Sequence, residues 1–147
     1  MRVIITLLVF LAGAALPFQA AVNTRLRQSV GAPLLSALIS FLVGASVLTL
    51  LHFSGLFGRA KLTGLSSTPW WAWIGGGCGA LVVTMAIIGL PRIGAGALVA
   101  ATVFGQLIAS LLLDHFGWLG VPRVPINTPR LLGAMLLFAG VLLMQRK

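Results

Sequence analysis

A bilayer core about 30 Å thick is crossed by roughly 20 residues of helix rising about 1.5 Å each, and five segments of this chain meet or approach that length without a Lys, Arg, Asp or Glu. The first runs from Val3 to about Val22 and ends at "NTRLRQ"; the second runs from about Leu34 to Phe53 and ends at "GLFGRAKLTGLSSTP". The third covers Trp71 to Leu90 and the fourth Ile93 to Leu113, with only "PR" at 91 and 92 between them. So short a connection predicts an antiparallel helix pair. After the loop "DHFGWLGVPRVPINTPR" the last span runs from about Leu131 to Arg146, its apolar part ending at Met144. Strands of a membrane barrel alternate polar and apolar residues over about ten positions, which runs such as "LLVFLAGAAL" do not. The reading is therefore an all-α membrane protein, a bundle of five transmembrane helices in one domain over 1–147. Val3 to Leu16 after Arg2 has the outline of a secretory signal but no convincing A-x-A site, so it is read as the first span.

Composition narrows the function. Charged residues are 7% of the chain, against about 25% in a soluble domain. The net charge of +9 comes from basic residues scattered through loops, where they meet anionic lipid head groups, and not from a stripe suited to nucleic acid. The single cysteine, Cys78, excludes an intramolecular disulfide. There is no nucleophile and base constellation, phosphate loop or carboxylate pair, so neither an enzyme nor a cofactor is expected. His52, His115 and Asp114 end on one side of the membrane in the five-span order, but their spacing matches no metal motif.

Lys and Arg bias orients a helix bundle, and here it is balanced. In the five-span order Arg2, Arg59, Lys61, Arg123 and Arg130 lie on one side and Arg25, Arg27, Arg92, Arg146 and Lys147 on the other, five against five. Either a weaker signal sets one orientation, or the chain inserts both ways and pairs antiparallel. Such a pair would rebuild in a homodimer what many transporters carry as inverted repeats in one chain.

The helix faces add polar detail. In the fourth span Ala97, Ala101, Gly105 and Ala109 form a small-residue ridge that admits close helix approach. One position on, Thr102, Gln106, Ser110 and Asp114 form a polar row that needs protein or water beside it. Helix glue and a transport path are both open for that row. Ser36, Ser40 and Gly44 in the second span, and Gly76, Ala80 and Thr84 in the third, read as close-packing surfaces. In "LPFQAAVN" Pro17 removes a helix hydrogen bond beside Gln19 and Asn23, which stand four apart on one face. Gln19 is the deeper of the two and the better candidate for a solute contact; Asn23 could simply be solvated near the interface. Trp70, Trp71, Trp73 and Trp118 fall on one membrane face in the five-span order, as an aromatic belt does.

"LPFQAAVNTRL", "SALISFLVG", "WWAWIGGGCGA", "LPRIGAGA" and above all "GQLIASLLLDHFGWLG" followed by "RLLGAMLLFAGVLL" resemble the YdcZ-like family, half-size five-helix members of the drug/metabolite transporter superfamily. The resemblance spans nearly the whole chain. It implies a bacterial inner-membrane protein whose relatives occur as single dual-topology chains, as oppositely oriented pairs, or as fused ten-helix chains. Small multidrug-resistance transporters, four-helix members of the same superfamily, exchange protons for cations through a Glu in their first helix; this chain has Gln19 and no acid there. An amide does not titrate, so that form of coupling is not expected.

The resulting expectation is an antiparallel homodimer in the lipid bilayer that moves a small polar or amphipathic solute past Gln19, Asn23, Ser40, Gln106 and Ser110. Pro17, Gly105, Arg92 and Asp114 are expected to serve packing and the interface, with Arg92 also able to meet an anionic solute. Asp114 is the only acid in the chain; it is expected to form an ion pair with Arg2, Arg123 or Arg130 of its own chain or to cap the helix hairpin, or to meet Arg25, Arg27 or Arg92 of an inverted partner, and the alternative role is proton coupling at the membrane edge. The rival reading is a non-transporting scaffold or an obligate partner of another half-size protein.

Overall fold

The computed structural model describes the backbone of residues 2–56, 58 and 62–145; the side chains of Arg2, Leu62 and Gln145 lie outside the description, as do Arg59, Lys61, Arg146 and Lys147 of the charge balance. Every regular element among the described residues is helical. Three stretches are long and apolar enough to cross a membrane, Val3–Val30, Pro33–Phe53 and Trp70–Phe116, and Thr128–Met144 is a shorter apolar helix. Two compact units divide the chain, Met1–Pro91 and Arg92–Lys147.

In the first unit α1 covers Arg2–Val30. It passes beyond Val22 because "NTRLRQSV" holds neither Gly nor Pro to stop it, and its Arg, Leu and Gln residues favour helix. At 29 residues it is about 43 Å long, longer than the hydrocarbon core, so its polar end projects from the lipid or the helix tilts. Pro17 lies inside it without ending it. Gly31 stops it, with φ 76° and its N–H donated to the Arg27 carbonyl at 2.9 Å, the left-handed cap that glycine takes without strain. Pro33 then opens α2, Pro33–Phe53, where a missing N–H is no loss. The two-residue link sets α1 and α2 side by side as an antiparallel pair. Ala20 and Asn23 of α1 and Ser36 and Ala37 of α2 are buried.

Two 3₁₀ turns, Leu62–Ser67 and Trp70–Ile74, lead to α3, Gly75–Phe116. Trp71 to Ile74, expected within a span, are thus part of a 3₁₀ turn. The expected break at Pro91 and Arg92 is also displaced: both residues are helical, and the break falls at Gly94, with φ 78° and ψ 164°. Proline's fixed φ suits a helix, and what Pro91 removes is the hydrogen bond one turn behind it. Gly94 is the first following residue able to enter a region of backbone space that is essentially glycine's own.

The second unit pairs the end of α3 with α4, Thr128–Gln145. The pairing is antiparallel: Asp114 meets Arg130, Phe104 lies against Phe138 with ring centroids 5.2 Å apart, and the backbone at Gly96 faces the Met144 methyl. Ala97, Leu111, Ala134 and Val141 are buried. α4 begins three residues before the expected Leu131, because the Asn127 side chain accepts the Arg130 N–H at 3.1 Å as an N-cap, and Pro129 is tolerated in the first turn.

Candidate functional site

Polar groups of the first unit gather where α1 meets α2. Asn23 is 4% exposed and Ser36 0%, and the Ser36 hydroxyl donates to the Asn23 backbone carbonyl at 2.7 Å. The Asn23 Nδ2 and the Thr24 Oγ1 are buried and have no hydrogen-bond partner among the described residues. Leaving such a group unpaired costs about 1–3 kcal/mol, so a hydrogen-bond acceptor reaching these two donors would be favoured. One turn on, half-buried Arg27 donates to the carbonyl of Ile87 at 3.3 Å. In a helix that carbonyl would receive the N–H of residue 91, which is Pro91 and has none. Arg27 thus replaces a missing backbone donor at a residue that is itself fully buried. Arg25 is spent on the exposed side, 2.6 Å from the Gln28 Oε1.

The polar end of the second unit is the turn between α3 and α4, and it is stitched from both sides. Gly117, at φ 67°, ends α3 by donating to the Leu113 carbonyl at 2.8 Å; the Val124 N–H donates to the Asp114 carbonyl at 2.8 Å. The Arg123 Nε takes the His115 carbonyl at 3.1 Å. Three of the carbonyls that a helix end leaves open are therefore occupied. The His115 Nδ1 accepts the Ile126 N–H at 3.1 Å. Arg130 closes the loop, donating to the Val124 carbonyl at 3.1 Å and to the Asp114 Oδ2 at 2.7 Å. The lone acid is paired within its own chain, and the arginine is Arg130. The pair lines an open cleft of about 320 Å³ together with Leu107, Ser110, Leu111, Gly133, Ala134 and Leu137.

The other expected residues are distributed less tightly. Gln19 is exposed and Asn23 buried, although they stand one turn apart; Ser40 is half-buried. Gln106 and Gly105 are exposed, and Ser110 turns its hydroxyl back to the Leu107 carbonyl at 2.9 Å. Thr102 does the same to Leu98 at 2.8 Å, so two members of the polar row satisfy themselves within the helix. Of the small-residue ridge only Ala97 is buried; of the rows in the second and third spans, Ser36 and Thr84 are buried, while Gly44, Gly76 and Ala80 are exposed. Arg92 is exposed on the turn before Gly94. Gln19, Asn23 and Ser40 belong to the first unit, and Gln106, Ser110 and Asp114 to the second. Neither the part of Arg27 nor that of Asn127 is anticipated above. "NTP" is a readable capping signal for the latter; for the former, Pro91 announces a freed carbonyl but nothing local says which side chain comes to it.

Long apolar helices with polar groups confined to their turns and a few helix faces make this a multi-pass membrane protein. The model of a family described as "Putative inner membrane exporter, YdcZ" matches residues 4–143, nearly the whole chain. The protein belongs to that family, a family of inner-membrane transporters. No curated protein and no solved structure matches it.

Proposed function

We propose that the protein carries a small polar or amphipathic solute across the inner membrane as an antiparallel dimer of two copies inserted in opposite directions, each crossing five times. The observation that carries this reading is the exporter-family match over 4–143. The crossings are α1, α2, the parts of α3 before and after Gly94, and α4. Helical residues Trp70–Phe116 number 47, about twice what one crossing needs, and Gly94 divides them.

Two exposed amides support a partner. Gln19 and Gln106 lie on apolar helices, where a polar side chain facing lipid is expensive and instead faces protein or a water-filled path. A second copy supplies both the covering surface and the path, which these residues line with Asn23, Ser40 and Ser110. The five-against-five basic balance supports insertion in both directions. In this reading Asp114, tied to Arg130, holds the turn between α3 and α4 and does not couple protons.

The test is transport by reconstituted protein of a solute first found by its thermal stabilisation of the detergent-solubilised form, since binding to the folded state raises stability by mass action. Gln19→Ala and Gln106→Ala are expected to slow uptake about tenfold or more while the protein still folds and pairs. Wild-type rates in both variants would overturn the site. A wild-type protein that binds the solute and never moves it would favour the non-transporting subunit.

A further inference from the structure

We propose that the junction of α1 and α2 is a subsite for an oxyanion, the carboxylate or phosphate group of the transported solute; the link to transport rests on the function proposed above. Three features meet there. The first is the start of α2: its N-cap is Ala32, which makes no side-chain cap, and its first turn holds no acid. Ser36 N–H is used on the Ala32 carbonyl at 3.1 Å and Pro33 has no N–H, so the amides of Leu34 and Leu35 are donors that the helix itself cannot use. They stand at the positive end of a 21-residue helix, the arrangement that accepts an anion elsewhere.

The second feature is independent of the helix. The Ser36 hydrogen bond to the Asn23 carbonyl fixes this first turn against Asn23, whose amide nitrogen is buried and unpartnered, with the unpartnered Thr24 hydroxyl next to it. The third is charge. Arg27 follows Asn23 by one helical turn, and residues 1–91 contain no Asp or Glu. The junction therefore brings together an amide, a hydroxyl and two backbone N–H groups, with the positive charge of Arg27, whose guanidinium donates to the Ile87 carbonyl, one turn along α1 and no carboxylate in its own unit. A cation would meet like charge here. An oxyanion brings several lone pairs to these donors and forms charge-assisted bonds with them.

The experiment uses the full chain purified in detergent. Thermal unfolding is followed in sodium phosphate, sodium acetate and sodium chloride at equal ionic strength, and separately in chloride with the protein in phosphatidylglycerol or phosphatidylcholine nanodiscs. Phosphate or acetate is expected to raise the midpoint above chloride in a saturable way. Thr24→Val, nearly the same shape, weakens the apparent affinity about fivefold by removing one hydrogen bond. Asn23→Asp weakens it at least about tenfold by setting a like charge against the anion; if this variant fails to fold, Thr24→Val carries the comparison. Equal midpoints in all three salts, or an unaltered response in the folded variants, would overturn the subsite. A response to phosphatidylglycerol alone would overturn the assignment of the anion to the solute and give it to a lipid head group. Because binding is read without transport, a wild-type protein that binds phosphate or acetate but moves no solute overturns the transporter and not the subsite.

Discussion

At the scale of single residues, the one carboxylate of the chain is engaged twice. The Asp114 side chain accepts from Arg130 at 2.7 Å and its backbone carbonyl accepts from Val124. Both side chains of the pair are partly exposed, 31% and 25%, so the interaction contributes about 1 kcal/mol and not the several of a buried pair. Asp114→Asn should lower the thermal midpoint in detergent by about 3 °C, and Arg130→Gln by more, because Arg130 also holds the Val124 carbonyl. A double-mutant cycle showing no coupling between the two would contradict the pairing. That this acid has a structural partner is legible from the sequence, which offers Arg2, Arg123 and Arg130 on one side. Choosing Arg130 is not, because the choice depends on how the eleven residues between α3 and α4 fold back. Asn23 and Gln19 show the converse: their spacing places them on one face, but only the packing of Ser36 against Asn23 decides that the shallower residue is the buried one.

At the scale of elements, the existence of the helices is written in the apolar runs and their ends are written in chemistry that is easier to overlook. Gly31, Gly117 and Asn127 end or begin helices by mechanisms visible in "VGAP", "HFGW" and "INTP". Asn127→Ala should cost about 1 kcal/mol through the lost cap. Gly117→Ala should cost about 1–2 kcal/mol, because φ is 67° and an added Cβ would stand 3.3 Å from the Arg123 Cβ. Chemical denaturation of each variant checks both. The break in α3 is less legible, since proline looks like the breaker and glycine is the residue that breaks. The consequence of Pro91 lies one turn back, at the Ile87 carbonyl held by Arg27. Arg27→Met should therefore destabilise by about 1–3 kcal/mol. Adding Pro91→Ala, which returns a backbone donor to Ile87, should recover part of that loss. Strict additivity of the two substitutions would show that Arg27 does not serve that carbonyl.

At the scale of the whole molecule, membrane insertion and family follow from apolar length and from the sequence blocks around "GQLIASLLLDHFGWLG". The partner is a different matter, because a surface that faces lipid and one that faces a second apolar chain are composed alike. What distinguishes them is the occasional polar side chain, and among the described residues Gln19 and Gln106 are amides that an isolated chain leaves exposed on its apolar helices. Both would be covered or hydrated in a dimer of opposed copies, and the balance of basic residues leaves no preference against forming one. The most direct measurement replaces Cys78 by Ser and introduces single cysteines at Ser29, Thr68 and Ile126, each then labelled with a membrane-impermeant thiol reagent from one face and from the other. Insertion in both directions predicts that every position labels in part from each face, the two parts together accounting for all of the protein. Labelling of each position from one face only would contradict the antiparallel dimer.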